Sequence, residues 1–143
     1  MRENMGLYRG KRIDSGEWVE GSLLKVTLNG KTAYLIFGDN FRFIGNDVKA
    51  LSHALVDPDT VGECTGLRDK NGKLIFERHV LMYGGNIGYV NYGTGCFCVK
   101  SCTPDWRNRN NPAIDIIFNE YPNDVVIIGE LEDFPELLKG GEQ

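Results

Sequence analysis

Pairs of turn-forming residues recur along this sequence and divide it into short runs rich in aromatic and β-branched residues. Asn29-Gly30 separates two such runs, and Asn71-Gly72 lies in a second turn of the same kind. Asn-Gly is the preferred pair for a two-residue hairpin turn, because both residues must adopt positive φ. Glycine accounts for 18 of the 143 residues, well above the usual ~7%, and glycine disfavours helix. These features predict a mostly β protein of short antiparallel strands with little helix.

The runs fall into two regions. We expect residues 1–55 to form an N-terminal β-hairpin region, because two hairpin turns lie within it. Residues 56–143 contain many short strands punctuated by glycines, which is typical of a small barrel or sandwich. A chain of this length is also consistent with one compact unit in which the two regions share a core.

Some elements are predicted less directly. In the first region we expect a strand at residues 41–44 and one turn of helix within residues 46–55, where apolar residues recur at helical spacing. In the second region we expect the last strands at residues 113–118 and 125–128, which are rich in isoleucine and valine. Asp133 is a suitable N-cap for a short helical turn near the C-terminus.

Composition excludes several classes of protein. The longest unbroken apolar run has five residues, Ala33 to Phe37, whereas a membrane helix needs ~18. No apolar stretch follows the first residues, so we expect no secretory signal and a location in the cytoplasm. Cysteines in that reducing compartment are expected to remain thiols. The net charge of −4 opposes non-specific binding to nucleic-acid phosphates.

Cys96, Cys98 and Cys102 form a cluster that has two interpretations. A structural zinc ion takes four nitrogen or sulfur ligands, so a zinc site would also need Cys64 or His79. On a strand, however, the first two cysteines share a face about 6.6 Å apart, which is two rises of ~3.3 Å. That spacing is too wide for two thiolates on one zinc ion without a bend in the strand, and on a flat strand it argues against a disulfide between them. We therefore predict no metal, no cofactor, and cysteines that serve as small apolar side chains.

The candidate catalytic groups are better explained by structural roles. Asp57 and Asp59 are the closest pair of carboxylates, but their Asp-Pro-Asp-Thr sequence is typical of a capped turn. His53 and His79 lie beside no nucleophile in the sequence, and we expect both at solvated positions. The glycine-rich segment 84–88 lies between strands, whereas a dinucleotide site must open a helix. The sequence therefore predicts that the chain is not an enzyme.

Two groups of residues are candidates for binding. Segment 103–112 has no strand character, and its Trp106, Arg107 and Arg109 are residue types enriched in binding hot spots. The alternative is that this tryptophan covers the protein's own core. A second, basic group surrounds the Asn71-Gly72 turn. It consists of Arg68, Lys70, Lys73 and Arg78. Such charges contact nucleic acid in some proteins, but they also keep hairpins soluble and protect their edges.

Several separate motifs resemble the YopX family of phage and prophage proteins. The motifs are Tyr8-Arg9-Gly10-Lys11, Gly16-Glu17-Trp18-Val19 with Gly21, Val56 to Gly62, Thr65 to Lys73, Ile127-Ile128-Gly129 and Pro135 to Leu138. They occur in the family's order and span nearly the whole chain. The resemblance implies an all-β protein, encoded by a phage or prophage, with an SH3-like barrel in its second half and no established activity.

The chain departs from the family pattern in places. Members usually place Gly-Asp after the position of Glu77, where this chain has Arg78-His79, so the local turn is expected to differ. The cysteine cluster and segment 103–112 also lie outside the pattern that carries the resemblance. Such additions are not required by the shared fold, so segment 103–112 is the candidate recognition surface, with the alternative that Trp106 covers the core left open.

These arguments combine into one functional expectation and one alternative. We expect a non-enzymatic accessory protein in the cytoplasm of the bacterial host cell that binds another protein, which is either a second copy of itself or a host or phage protein. Residues 125–128 are a strong β-former that is either buried or paired with such a partner. The alternative is a nucleic-acid-binding module that uses the basic turn.

Overall fold

The computed structural model describes residues 6–38, 53–93, 95–102 and 112–140. Over these residues the chain is mainly antiparallel β structure in two sheets, with α-helices of only seven and six residues. The predicted β class with little helix is therefore confirmed. The strand expected at 41–44 and most of the helical turn expected within 46–55 lie outside the described residues.

The chain divides into two compact units, residues 1–64 and 65–143. The sequence analysis placed the division between residues 55 and 56. The observed division falls inside a strand, after Cys64. Each unit has its own cluster of buried apolar side chains.

The first unit is built from strands that follow one another closely in the sequence. They are β1 (Tyr8–Lys11), β2 (Trp18–Leu28), β3 (Lys31–Gly38), β4 (Leu55–Val56) and the start of β5 (Gly62–Arg68). Their order in the sheet is β4-β3-β2-β1-β5, and each neighbouring pair of strands is antiparallel. Val19, Ile36 and Val56 are the buried centre of this unit.

The predicted Asn29-Gly30 turn connects β2 and β3. Asn29 has φ 52° and Gly30 has φ 76°, the paired positive values of a type I′ turn. From this turn the two strands pair without interruption, from Leu28 opposite Lys31 to Gly21 opposite Gly38. A 3-10 turn, Pro58–Thr60, precedes β5, and Asp57 caps it by accepting the Asp59 N–H at 3.0 Å. The predicted capped turn is therefore present.

The second unit contains the remaining elements. They are the end of β5, β6 (Leu74–Phe76), β7 (His79–Tyr83), β8 (Asn86–Gly93), β9 (Cys96–Ser101), α1 (Ile114–Glu120), β10 (Val126–Glu130) and α2 (Pro135–Gly140). Strand β6 is the neighbour of β5, and the other strands form a sheet of order β10-β7-β8-β9. In the part of the chain that the structure describes, neither sheet closes on itself, so the SH3-like barrel is not confirmed.

The strand expected at residues 113–118 is wrong, because most of these residues form helix α1. Ile114 and Ile117 are three positions apart and both are buried, whereas the intervening Ile116 is 49% exposed. This is the spacing of one helical face, and packing of that face against the sheet outweighs the β propensity of isoleucine. No helix in the described residues is long and apolar enough to cross a membrane.

Candidate binding surface

The two groups of candidate binding residues differ in whether the structure describes them. Trp106, Arg107 and Arg109 lie outside the described residues. The basic group is in the second unit, where three of its members surround the β5–β6 turn and the fourth lies in the β6–β7 turn. The first three are Arg68, Lys70 and Lys73, and the fourth is Arg78.

Arg78 differs from the other three because its backbone is strained. It has φ 75°, in the left-handed region that glycine adopts readily and other residues adopt at a cost of about 1–2 kcal/mol. Its Nε atom is buried and has no hydrogen-bond partner among the described residues. The family's usual glycine at this position would fit the observed backbone. Arg78 therefore adopts a backbone conformation here that glycine adopts at lower cost.

Asp69 organises the β5–β6 turn, a role that the sequence analysis missed. Its carboxylate Oδ1 accepts the backbone N–H groups of Asn71 and Lys73, each at 2.9 Å. Its Oδ2 accepts the N–H of Ile127 on β10 at 3.1 Å. The N–H of Lys70 donates to the carbonyl of Val125 at 2.9 Å. The turn is therefore hydrogen-bonded to the outer side of β10.

The electrostatic state of Asp69 follows from these contacts. Burial is the largest influence and raises the pKa of its carboxyl group. The N–H groups of Ile127, Lys73 and Asn71, with the charge of Lys73, outweigh burial and hold the pKa below its ordinary value. Asp69 is therefore ionised at neutral pH, and its charge is satisfied within the turn.

A groove of about 480 Å³ lies beside this turn. Its lining includes the basic residues Arg68 and Lys70 and the apolar residues Phe118 and Val125. Such a volume is within the range of small-ligand sites, ~300–1,000 Å³. Because the Asp69 carboxylate is already hydrogen-bonded to backbone N–H groups, the two exposed basic side chains dominate the charge at the groove.

The distal part of the β2–β3 hairpin, residues 24–33, is the other candidate surface, and we call it the hairpin arm. Within the described residues its two strands pair only with each other, because β1 pairs with β2 as far as Gly21 and β4 pairs with β3 from Tyr34. Leu24 is 48% exposed and Leu28 is 70% exposed. Val26 lies between them on the same face, since alternate strand residues share a face.

The hydrogen-bonding direction of each residue in the arm follows from its turn. In a two-residue hairpin the flanking pair, here Leu28 and Lys31, exchanges both backbone hydrogen bonds, and the pattern then alternates along the strands. Residues 24, 26 and 28 therefore direct their N–H and C=O groups at β3. Lys25 and Thr27 direct theirs away from β3, at an edge with no strand beside it in the described part of the chain.

Trp18 is the first residue of β2, and two basic side chains lie over its ring. The guanidinium carbon of Arg9 lies 3.8 Å from the centre of a Trp18 ring, and the Lys11 Nζ lies 5.4 Å from it. Arg9 is buried, so this cation–π contact is shielded from water. This contact joins two separate motifs of the resemblance, Tyr8 to Lys11 and Gly16 to Val19. The two motifs are also adjacent in the sheet, because β1 pairs with β2.

The two histidines differ in their surroundings. His53 is exposed, as expected, and its Nδ1 lies 3.3 Å from Asp14 Oδ2. His79 is buried, so its expected solvated position is wrong. Its Nδ1 accepts the Phe76 N–H at 2.9 Å, and its Nε2 lies 3.3 Å from Glu130 Oε1. A neutral ring with this tautomer connects the β6–β7 turn to β10, which is a structural role.

Three of the four cysteines lie on β9 or directly after it. None of the four cysteines, all of which lie in the described residues, is in a disulfide. Cys96 and Cys98 share a face of β9, but their sulfur atoms are only 3.6 Å apart, much closer than the Cα spacing suggests. Cys102 Sγ instead donates to the Lys100 carbonyl. The described residues contain no group of three or more His, Cys, Asp or Glu side chains that could hold a metal ion.

Comparison with protein families identifies the family of this chain. The family model described as "YopX protein" matches residues 7–139, which is nearly the whole chain. No curated protein matches the chain.

Proposed function

We propose that this chain, which belongs to the YopX family, is a non-enzymatic phage or prophage accessory protein that acts by binding protein, and that its hairpin arm binds a second copy of itself. The observation that carries this proposal is the arm itself. It combines an apolar face, with Leu28 70% exposed, and a stretch of β2 edge that no strand of the described residues pairs with. Exposed edges of this kind pair with a further strand unless they are covered.

One register of self-pairing satisfies both features. If two copies of β2 pair antiparallel about a two-fold axis at Val26, Lys25 of each copy lies opposite Thr27 of the other. These are the residues whose N–H and C=O groups point outward, so each such pair exchanges both backbone hydrogen bonds. The contact is isologous and closes as a dimer.

Side chains favour the same register. Leu24 of one copy then lies opposite Leu28 of the other, so the exposed apolar faces of the two arms become continuous. A pairing centred on Lys25 instead would place two lysines directly opposite each other, and like charges in that position are destabilising. The charge pattern therefore supports Val26 as the centre.

A proline at Thr27 tests the proposal, because it removes the outward N–H without removing a hydrogen bond to β3. Thr32 provides a matched control. It lies directly opposite Thr27, the two hydroxyl groups are 3.0 Å apart, and its own N–H points to the opposite edge of the arm. Both prolines therefore remove the same hydroxyl contact and leave the internal ladder intact.

The measurement is sedimentation equilibrium from low to high micromolar concentration. We expect the unmodified chain and Thr32→Pro to dimerise, and Thr27→Pro to dimerise at least tenfold more weakly. A chain that stays monomeric throughout contradicts the proposal. So does a dimer that both prolines weaken equally, because the β2 edge would then have no special role.

The groove beside the β5–β6 turn favours a second candidate function, the binding of single-stranded nucleic acid. Arg68 and Lys70 are suited to phosphate, and Phe118 offers a ring on which a base can stack. The net charge of −4 opposes this candidate. Fluorescence anisotropy of a labelled oligonucleotide at low salt tests it. Lys70→Glu should weaken binding at least tenfold and Lys31→Glu should not; absence of binding at low salt rejects this second function.

A further inference from the structure

We propose that Cys96 and Cys98 are a reversible oxidation site, at which the two thiols close to an intramolecular disulfide by exchange with a low-molecular-weight disulfide such as oxidised glutathione. The two sulfur atoms are 3.6 Å apart. They need to approach by only about 1.6 Å to reach the ~2.0 Å of a disulfide bond. Two strand rises of ~3.3 Å place the Cα atoms about 6.6 Å apart. That separation lies near the upper limit of ~6.8 Å found in disulfides.

The start of β9 has room for this movement. Cys96 is exposed and is the first residue of the strand, directly after Gly95, which has φ 86°. Gly93 lies opposite Cys96, and even a Cβ atom at Gly93 would meet nothing within 4 Å. The position opposite Cys96 therefore carries no side chain, and the space beside it is open.

The Gly93 carbonyl holds both thiols on one side of the strand. Cys96 Sγ donates to it at 3.9 Å, and Cys98 Sγ donates to it at 3.7 Å. Because the two donors converge on one acceptor, the thiols are kept as neighbours in the reduced protein. Cys64 is buried, and Cys102 Sγ donates instead to the Lys100 carbonyl, so Cys96 and Cys98 are the pair whose sulfur atoms are in contact.

The exchange proceeds in two displacements. The thiolate of Cys96 attacks one sulfur of the small disulfide, whose S–S bond breaks, and the first small thiolate leaves. Cys98 then loses its proton to solvent and attacks the Cys96 sulfur, and the second small thiolate leaves. The protein thereby loses two electrons and two protons, and the small disulfide becomes two thiols.

Exposure sets the order of the two displacements. Cys98 is 8% exposed, and burial raises the pKa of its thiol, as does the neighbouring Cys96. The exposed Cys96 is therefore the first to meet the oxidant, and Cys98 is the resolving thiol. The disulfide shortens the start of β9, so we expect it to weaken the bridge between Cys98 and Ala113 and to be readily reduced.

The full chain is incubated with oxidised glutathione, quenched by alkylation, and analysed by intact-mass and peptide mass spectrometry. We expect a product that has lost two hydrogen atoms, with its bond between Cys96 and Cys98, and full recovery of the thiols on adding reduced glutathione. Cys64→Ser and Cys102→Ser serve as controls and should still form the bond. Cys98→Ser should instead retain one glutathione on Cys96.

Three results would overturn the proposal. The first is that Cys96 and Cys98 of the folded protein are still free to be alkylated after the treatment, under conditions that oxidise both cysteines in an unfolded control. The second is separate glutathione adducts on the two residues with no bond between them. The third is a bond from either residue to Cys102, because the contact between the Cys96 and Cys98 sulfur atoms would then not direct the reaction.

Discussion

The hairpin arm of the first unit and the β5–β6 turn of the second unit both contain an Asn-Gly pair, but the strand edges beside them differ. In the arm, the outward N–H groups of Lys25 and Thr27 have no strand beside them in the described residues. In the second unit, β10 is also an edge strand, but Asp69 accepts the N–H of Ile127. One edge is therefore available for pairing, and the other is covered.

The covered edge of β10 argues against residues 125–128 as the place where a partner strand pairs. Residues 125–128 are a strong β-former and were a candidate for pairing with a partner. Val125 is buried, and its carbonyl accepts the N–H of Lys70. Proteins commonly protect edge strands by covering them, and here a single carboxylate with one turn does so. We therefore propose that self-pairing involves the hairpin arm rather than β10.

Removing the carboxylate at residue 69 should have the largest effect. Asp69→Ala leaves three backbone N–H groups without their acceptor, and we expect the free energy of unfolding to fall by about 3 kcal/mol. Asp124→Ala is the matched control. Among the described residues that carboxylate accepts the exposed Gly84 N–H alone, so its loss should reduce stability by about 1 kcal/mol or less. Urea unfolding measures both, and equal losses would contradict the role assigned to Asp69.

A methyl group at Gly21 should damage the base of the hairpin arm. A Cβ atom there would overlap the backbone carbonyl of Phe37 on the paired strand, which cannot move aside without breaking the ladder. We expect Gly21→Ala to reduce the free energy of unfolding by about 2 kcal/mol. Gly93→Ala is the control, because a Cβ atom at Gly93 has open space. A neutral Gly21→Ala would show that the β2–β3 register is wrong.

Acid should weaken the second unit through Asp69. The pKa of this carboxyl is lowered in the folded protein, so its contribution to stability is complete above the pKa of the unfolded chain. The contribution is lost as the pH falls through the lower, folded-state pKa. We expect the unfolding free energy of the unmodified chain to fall more steeply over that acidic range than that of Asp69→Asn. Parallel pH profiles for the two proteins would contradict this prediction.

Glycine at position 78 should stabilise the β6–β7 turn. Arg78 has φ 75°, and glycine adopts this conformation without the steric penalty of a Cβ atom. We expect Arg78→Gly to increase the free energy of unfolding by about 1 kcal/mol. Arg68→Gly is the comparison, because Arg68 lies in β5 and glycine weakens a strand. The account of this turn fails if thermal unfolding shows both changes to be destabilising.

A charge on the apolar face of the arm should have the smallest effect on stability. Leu28 is 70% exposed, so Leu28→Lys should change the free energy of unfolding by no more than about 0.5 kcal/mol. The same change places a charge opposite Leu24 of a second copy and should weaken dimerisation. A large loss of stability in the monomer would show that the arm packs against its own chain.

The features that the sequence predicts correctly depend on interactions between residues close together in the chain. The Asn29-Gly30 turn and the Asp57 cap each depend on residues within a few positions, and both are present. The β class follows from the same density of turns. The helix at Ile114–Glu120 was missed because isoleucine favours strands, and only packing of its buried face against the core selects helix.

The remaining features depend on contacts between distant residues. Asp69 bonds to Ile127 across 58 positions, and no spacing in the sequence indicates that partner. The burial of His79 depends likewise on Glu130, which lies on another strand. The edge of β2 that has no neighbouring strand in the described residues is weakly indicated by the sequence. The run that forms β2 is much longer than the run that forms its neighbour β1, so β1 cannot cover all of it.

Hydrogen exchange at three amides tests the central comparison most directly. At low protein concentration the account predicts rapid exchange at Lys25 and Thr27 and protection at Ile127, whose N–H is bonded to Asp69. At high concentration the first two amides should become protected while Ile127 stays unchanged. The account is contradicted if Lys25 and Thr27 are protected at low concentration or exchange equally fast at every concentration, or if Ile127 exchanges as rapidly as they do.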